Sequence, residues 1–345
     1  MRILVTGGAG YIGSHTCVEL LQSGYKVVVI DNLVNSSIEG LKKVSRITNI
    51  KLEINDFKEG SFLFFEGDIR NKTLLSKIFL KFRIDGVMHF AGLKSVGESV
   101  EKPIKYYNNN VVGSIVLIET MKKFNCKTFV FSSSATVYGD PQTLPIKEDS
   151  PLNVTNPYGQ SKLIVENVLR DLFATDKSWR IAILRYFNPV GAHESGLIGD
   201  SPRGIPNNIM PYIAQVAIGK LSNINIFGDD YNTHDGTGVR DYIHVVDLAK
   251  GHVNSISAIE KDPQVLTINL GTGTGYSVLD LIKTFENVIG RKIPYKITPR
   301  RAGDVAICYA DPELAKEKIN WESTKGIEQM CKDTWRFQLN NKPQD

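Results

Sequence analysis

A glycine pattern set directly behind an N-terminal apolar run constrains this chain more than any other feature. Residues 2–6 read as a short strand, and Thr6-Gly7-Gly8-Ala9-Gly10-Tyr11-Ile12-Gly13 then opens a helix. In such a strand, loop and helix, Gly7 makes the tight turn, Gly10 lets the backbone approach a pyrophosphate, and Gly13 lets helix and strand pack closely. The N–H groups at the helix N-terminus, around Tyr11 and Ile12, then meet the anion. A turn kept for structural reasons alone would look similar, so the next strand carries weight. Residues 26–30 end in Asp31-Asn32, which puts a carboxylate where an adenosine ribose would lie. Asp31 would accept from ribose hydroxyls and repel a 2′-phosphate, favouring NAD over NADP. Asp68-Ile69, after another candidate strand, would bracket the adenine.

Further along, apolar runs without alternation recur at residues 86–90, 128–132 and 181–185, with helical stretches at 11–22, 72–82, 111–124 and 158–174. Unalternated apolar strands belong to a parallel sheet covered on both faces, and the alternation with helices predicts an open, doubly wound α/β sheet of the Rossmann kind. Residues 49–65 read as a local excursion with strand character. After Asn188, Gly, Pro and Asn become more frequent and the alternation loses its regularity. The division expected is an NAD-binding domain over 1–187 and a smaller α/β substrate-binding lobe over 188–345, some segments of which return to the first domain. Helices at 208–219, 246–259, 278–289 and 325–340 are assigned to that lobe.

The 345 residues, 42% hydrophobic and 23% charged, describe a folded chain with room for two lobes. A formal charge of +4 with no basic run makes nucleic acid a poor partner. Cys17, Cys126, Cys308 and Cys331 stand far apart without a CxxC pair, which argues for reduced thiols in a cytoplasm and against zinc. Met1 to Val5 runs straight into the glycines, so no cleaved leader is expected, and no apolar run reaches the roughly 20 residues of a membrane span. The six histidines show no metal spacing, and none is assigned to catalysis.

Among 13 tyrosines only Tyr158 is followed four residues later by lysine, Lys162. Positions i and i+4 of a helix share a face, so the ammonium can sit beside the phenol and the cofactor ribose. A phenol titrates near 10, and service as a base at neutral pH needs a drop of about three units, about 4 kcal/mol of phenolate stabilisation. Lys162 and an oxidised nicotinamide ring together would supply it. Upstream, Ser132-Ser133-Ser134 closes a strand at the sheet edge where ligands of such folds bind. Ser134 is the candidate for the hydrogen bond to the reacting oxygen.

With these residues in order, the chain resembles the extended short-chain dehydrogenase/reductase family and, within it, the UDP-glucose 4-epimerases. The resemblance runs from Met1 to about Trp335. It is carried by residues 5–15, 89–94 (HFAGLK), 132–139 (SSSATVYG), 185–192 (RYFNPVGA) and 238–245 (GVRDYIHV). It implies Tyr158 as general base and acid at the sugar O4, Ser134 as its partner, and Lys162 as ribose clamp. Asn32, Asn35, Ser36, Phe90, Ala91, Gly92, Lys94 and Tyr186 are implied as further NAD contacts. Asn188, Asn207, Asn208, Phe227, Arg240, Arg301 and Asp304 are implied to hold UDP, with Lys94, Asn109 and Tyr186 toward the hexose. Arginines suit a diphosphate, which they grip in bidentate fashion.

The expected reaction is transient oxidation at C4, turning of the 4-keto sugar and return of the hydride, exchanging UDP-glucose and UDP-galactose. Related dehydratases also need an acid and a base for elimination, and by the resemblance carry an acidic pair where this chain has Ala135-Thr136. A UDP-sugar dehydratase or decarboxylase, or a non-catalytic NAD-sensing regulator, are the alternatives. Cys308 falls where the resemblance implies a gate beside the sugar 2-substituent, tyrosine in strict hexose enzymes and smaller in those that take UDP-N-acetylhexosamines. The small residue here extends the expected substrates to UDP-GlcNAc and UDP-GalNAc; the bland reading is that Cys308 only packs. Helices 111–124 and 158–174 carry apolar residues enough for a homodimer.

Overall fold

The structure, a computed structural model, describes residues 1–341 apart from 203, 205, 207 and 302. Its first half alternates strand and helix: β1 (Arg2–Thr6), α1 (Tyr11–Gln22), β2 (Lys26–Asp31), α2 (Ile38–Thr48), β3 (Leu52–Ile54), β4 (Phe62–Glu66), α3 (Lys72–Phe82) and β5 (Gly86–His89). There follow α4 (Val96–Glu101), α5 (Pro103–Tyr106), a π-helical segment Tyr107–Val112, α6 (Gly113–Lys123), β6 (Thr128–Ser132), α7 (Pro157–Thr175) and β7 (Arg180–Tyr186). Successive side chains of a strand point to opposite faces, and here both faces are covered. Ile3 and Val5 of β1, Val27 and Val29 of β2 and Val130 of β6 enter one apolar cluster, while Leu4, Val28, Ile30, Phe129 and Phe131 enter the other. Fully burying each such aliphatic side chain is worth roughly 1.5–3 kcal/mol, which is why the runs show no polar alternation.

The remaining elements are β8 (Asn188–Val190), α8 (Ile209–Ala217), β9 (Ile224–Phe227), β10 (Val239–His244), α9 (Val245–Glu260), β11 (Gln264–Leu270), β12 (Gly275–Ser277), α10 (Val278–Ile289), β13 (Tyr295–Thr298), β14 (Ile307–Cys308), α11 (Glu313–Ile319) and α12 (Ile327–Asn340). Eight parallel strands form one sheet in the order β11-β7-β6-β5-β1-β2-β4-β3. The chain steps outward from β1 to β2 and later crosses to β5 on the other side of β1. The crevice beyond the carboxyl ends of β1 and β5 is therefore the switch point where ligands of open α/β sheets bind. β10 pairs with β8, β12 and β14, and β9 pairs with β13. A third apolar cluster joins these small sheets to α8, α10 and α12.

Two elements of the later half lie on the large sheet. β11 pairs with β7 along its whole length, and α9 puts Leu248, Val253, Ile256 and Ile259 into the cluster that also holds Val18 and Leu21 of α1. The helix read at 246–259 thus covers the eight-stranded sheet rather than the second lobe to which its position in the chain assigned it. The excursion at 49–65 supplies β3 and β4, which extend the sheet past β2. Residues 111–124 begin in the π-helical segment and are α-helical only from Gly113.

Candidate active site

A cleft of about 890 Å³ opens at the switch point, near the top of the roughly 300–1,000 Å³ range of ligand pockets. One arm is built by the glycine loop. Gly7 has φ +70°, and a Cβ on it would stand 2.7 Å from the Ala91 nitrogen; a Cβ on Gly13 would stand 2.7 Å from the Gly8 Cα and against the Gly7 carbonyl. No side chain caps α1 and no acidic residue occupies its first turn, so its leading N–H groups face the cleft without an intrahelical partner. This cradle and bare helix end fit a dinucleotide pyrophosphate.

Asp31 closes the same arm. Its carboxylate accepts from Ala9 N (3.0 Å), Leu33 N (2.9 Å) and the Ser36 hydroxyl (2.9 Å). Burial raises its pKa, and those three donors pull the other way. Each carboxylate oxygen has two lone pairs, so a ribose hydroxyl still finds an acceptor there. Asn32 donates to Asp68 (3.3 Å), which also pairs with Arg70 (2.7 Å) and is held down to about 2, chiefly by that guanidinium.

Gly7, Gly10, Tyr11, Ile12, Gly13, Asp31, Asn32, Asn35, Ser36, Asp68, Ile69, Phe90, Ala91, Gly92, Lys94, Asn109, Tyr158, Lys162, Tyr186 and Asn208 all line this one cleft. Residues 197–202, Phe337 and Asn341 line it as well, with Lys43 of α2 bonded to Asn341. Nothing in their local sequence marks these; they reach the cleft because α12 and the segment before α8 fold back over it.

At the other end of the cleft α7 begins. Asn156 caps it through Gly159 N (2.9 Å) and Pro157 sits at its start, which sets Tyr158 in the first turn. Tyr158 and Lys162 are both 6% exposed. Lys162 Nζ donates to the Ser132 carbonyl (2.7 Å) and lies 4.9 Å from the centroid of the Phe131 ring. The Tyr158 phenol is raised well above a tyrosine's ordinary value, first by burial and then by Tyr186, with the Ser134 hydroxyl opposing and Tyr106 adding to the rise. Among the protein's own groups desolvation outweighs hydrogen bonding, and the Lys162 ammonium is engaged by a backbone carbonyl; the drop toward neutrality expected from the sequence is assigned to Lys162 together with an oxidised nicotinamide ring. Lys162 is itself brought down to about 8 by burial, against the pull of Glu166.

The three serines at the end of β6 are each held from a different side. Ser132 Oγ meets His252 Nε2 (3.3 Å), and Tyr186 hydrogen-bonds to the Ser132 side chain. Ser133 Oγ donates to Glu166 Oε1 (2.6 Å). Ser134 Oγ accepts from Thr136 N (3.2 Å) and Thr136 Oγ1 (2.9 Å), which leaves its own O–H for the phenol. Behind them Asn110, in the π-helical segment, ties the Leu93 backbone (2.8 and 3.0 Å) to Ser161 (2.9 Å), whose hydroxyl donates to the Tyr158 carbonyl (2.7 Å). A π-turn often marks a functional site; here it turns Asn109 to the cleft and Asn110 into the core. His252, Glu166, Arg185 and Asn110 were absent from the sequence reading of the site. Only Glu166 had a usable signal, as the next i+4 step after Tyr158 and Lys162.

Of the residues implied for UDP, Asn208 lines that cleft, while Asn188, Phe227, Arg240, Arg301 and Asp304 lie on the small sheets and the loop between β13 and β14. Asn188 pairs with Tyr242 in register, and Arg240 pairs with Cys308 on one side and Tyr276 on the other. Arg301 lies 5.5 Å from the Phe227 ring centroid and pairs with Asp304 (2.9 Å). Cys308 is half-buried, and burial pushes its thiol up to about 11, so it is neutral. Asn207 lies outside the described residues. His234, exposed, and Asp235 and Asp280, half-buried, form a small cluster far along the second half, but His234 and Asp280 already pair (3.1 Å) and Asp235 accepts from Ser277.

Comparison with known proteins agrees with this geometry. The model of the GDP-mannose 4,6 dehydratase family matches residues 4–334. UDP-glucose 4-epimerase of Bacillus subtilis (strain 168) is 56% identical over 341 residues, covering 99% of this chain and 98% of its own. That of Pasteurella multocida (strain Pm70) is 58% identical over 342 residues, with the same coverage. The crystal structure of UDP-glucose 4-epimerase from Bifidobacterium longum in complex with NAD+ and UDP aligns at TM-score 0.94 and 52% identity over 99% of each chain.

Proposed function

The chain belongs to the UDP-glucose 4-epimerases, inside the family described as GDP-mannose 4,6 dehydratase, and on that premise we propose how its residues invert C4 of a UDP-hexose. The single observation that carries the reading is a buried tyrosine, faced by a serine hydroxyl and followed by a buried lysine, at the far end of a cleft whose other arm is a glycine cradle. The cradle, the bare start of α1 and Asp31 hold NAD. Asn32, Asn35, Ser36, Asp68, Phe90, Ala91 and Lys94 line its course. Bound there, NAD would supply a reversible hydride acceptor for C4 and a positive charge within the cleft that Tyr158 lines.

Ser134 and Tyr158 work on the sugar O4. The serine O–H orients the hydroxyl while the phenolate of Tyr158 takes its proton; the same phenol returns the proton when hydride comes back to the other face of C4. No net redox change remains. Lys162, anchored on the Ser132 carbonyl, clamps the ribose and adds a positive charge one helical turn from the phenol. Arg240 and Arg301 hold the diphosphate, with Phe227, Asp304, Asn188, Asn207 and Asn208 around the rest of UDP. Asn109, Tyr186 and Lys94 meet the hexose. Tight holding of UDP with looser holding of the sugar is what a ring that must turn over requires.

The two residues after Ser134 disfavour elimination chemistry. Ala135 has no acid, and the Thr136 hydroxyl is occupied in donating to Ser134. Cys308, small and neutral beside Arg240, extends the reading to UDP-GlcNAc and UDP-GalNAc. The four cysteines are free, which suits a reducing cytoplasm. Val100, Ile104, Val112 and Ile115 expose apolar surface along α4 to α6, which supports pairing of two copies. No helix among the described residues is long and apolar enough to cross a membrane.

Purified protein mixed with UDP-galactose and no added NAD yields UDP-glucose on this reading. Tyr158→Phe, folded and with dinucleotide retained, loses at least about a hundredfold in rate, as removal of a general acid–base does. Release of water or carbon dioxide, or an unimpaired Tyr158→Phe, would overturn it.

A further inference from the structure

One carboxylate on α7 has no place in the chemistry above. Glu166 is completely buried, two helical turns beyond Tyr158 and one beyond Lys162, on the same face. It accepts from Arg185 Nε (3.1 Å) and Nη2 (2.7 Å) of β7, from Arg170 Nη2 (3.0 Å), and from Ser133 Oγ (2.6 Å). Arg185, also buried, is held in turn by the Tyr138 hydroxyl (3.0 Å) and the Glu148 carbonyl (3.0 Å).

The bidentate arginine and Arg170 already satisfy the charge, and a buried ion pair is no more stabilising than well-packed apolar residues. The serine bond adds something different. Ser133 is the middle residue of a run whose neighbours touch the reacting groups: the Ser132 carbonyl takes Lys162 and the Ser134 hydroxyl faces Tyr158. Its backbone N–H is fixed to the Leu184 carbonyl (2.8 Å). The side-chain bond to Glu166 therefore ties the centre of this run to the helix that carries Tyr158. We infer that Glu166 and Ser133 are positioning residues for the C4 reaction, setting the separation between Ser134 and the Tyr158 phenol by clipping the end of β6 to α7. The inference rests on the reading of Tyr158 as the proton carrier.

The test uses the isolated holoenzyme in three variants, Ser133→Ala, Glu166→Gln and Tyr158→Phe, assayed for turnover of UDP-galactose and for UDP affinity. Ser133→Ala leaves Glu166 with its arginines, so it folds, and it is the deciding variant. It lowers kcat by about tenfold to a hundredfold, the scale on which small misplacements act. KM for UDP-galactose and Kd for UDP stay within about twofold, because uniform binding is untouched, and Tm stays near that of the parent. Glu166→Gln moves kcat the same way with a loss of Tm. A folded Ser133→Ala with the parent's kcat, or one whose KM rises while kcat holds, overturns the inference. With Tyr158→Phe inactive in that experiment, only the positioning role falls; with Tyr158→Phe active, the reading of the site falls and the inference with it.

Discussion

Gly13 shows how little room the dinucleotide arm leaves. A methyl group there would stand 2.7 Å from the Cα of Gly8 and against the carbonyl of Gly7, both backbone atoms of the loop itself. Neither can rotate aside, so α1 must back away from β1 and carry its leading N–H groups with it. Gly13→Ala is expected to cost about 1–3 kcal/mol of stability, as overpacking does, and to release bound NAD, read as dinucleotide recovered from the denatured protein after gel filtration. Full retention of the dinucleotide would count against the cradle. The spacing of Tyr158 and Lys162 was legible in the same way as this glycine. The direction of the ammonium was not, because an i+4 step brings two residues to one face without saying which carbonyl a long side chain will find.

At the scale of elements, Cys308 depends on register more than on its own chemistry. β14 is only two residues long and lies parallel to β10, which sets Cys308 beside Arg240, and β12 flanks β10 on the other side with Tyr276 opposite the same arginine. A bulky ring at 308 would fill space beside the arginine proposed to grip the diphosphate. Cys308→Tyr is expected to lower turnover of UDP-GalNAc at least about tenfold, in line with the 10–200-fold that modest steric differences in a pocket achieve, while UDP-galactose turnover changes little. Parallel initial rates on the two sugars decide it, and equal effects on both would sink the gate. The pattern of elements was largely readable: β1, α1, α3, β6 and α10 begin and end where the apolar runs and periodicities place them. The π-turn before α6 was not.

At the scale of the molecule, three buried histidines tie stability to pH. Burial lowers His15 and His89 to about 3 and His252 to about 4, against an ordinary value of 6.5. The folded state thus resists protons that the unfolded chain takes up, so their contribution is fully present above pH 6.5 and is lost as pH falls toward 4. Each accounts for up to about 1.4 kcal/mol per pH unit in that window. Asp31 and Asp241, raised by burial, oppose this in its lower part. Urea midpoints measured between pH 7 and pH 5 should fall steadily; a flat profile would show that these rings are solvated.

The glycine loop, Asp31, the Tyr158-Lys162 step and the serine run lie within short windows, and their chemistry follows from spacing along a strand, turn or helix. For that reason the sequence by itself determined the doubly wound sheet and marked out the arm proposed for the dinucleotide. Only the tertiary structure decided that β11 joins the large sheet, that α9 packs against it, and that residues 197–202 and α12 close over the cleft. It alone decided, too, that Glu166 holds Ser133 from 33 residues away, with Arg185 behind it. An amphipathic pattern declares that a face will be buried but not what will bury it, and a buried charge finds its partner in three dimensions, where separation along the chain carries no information.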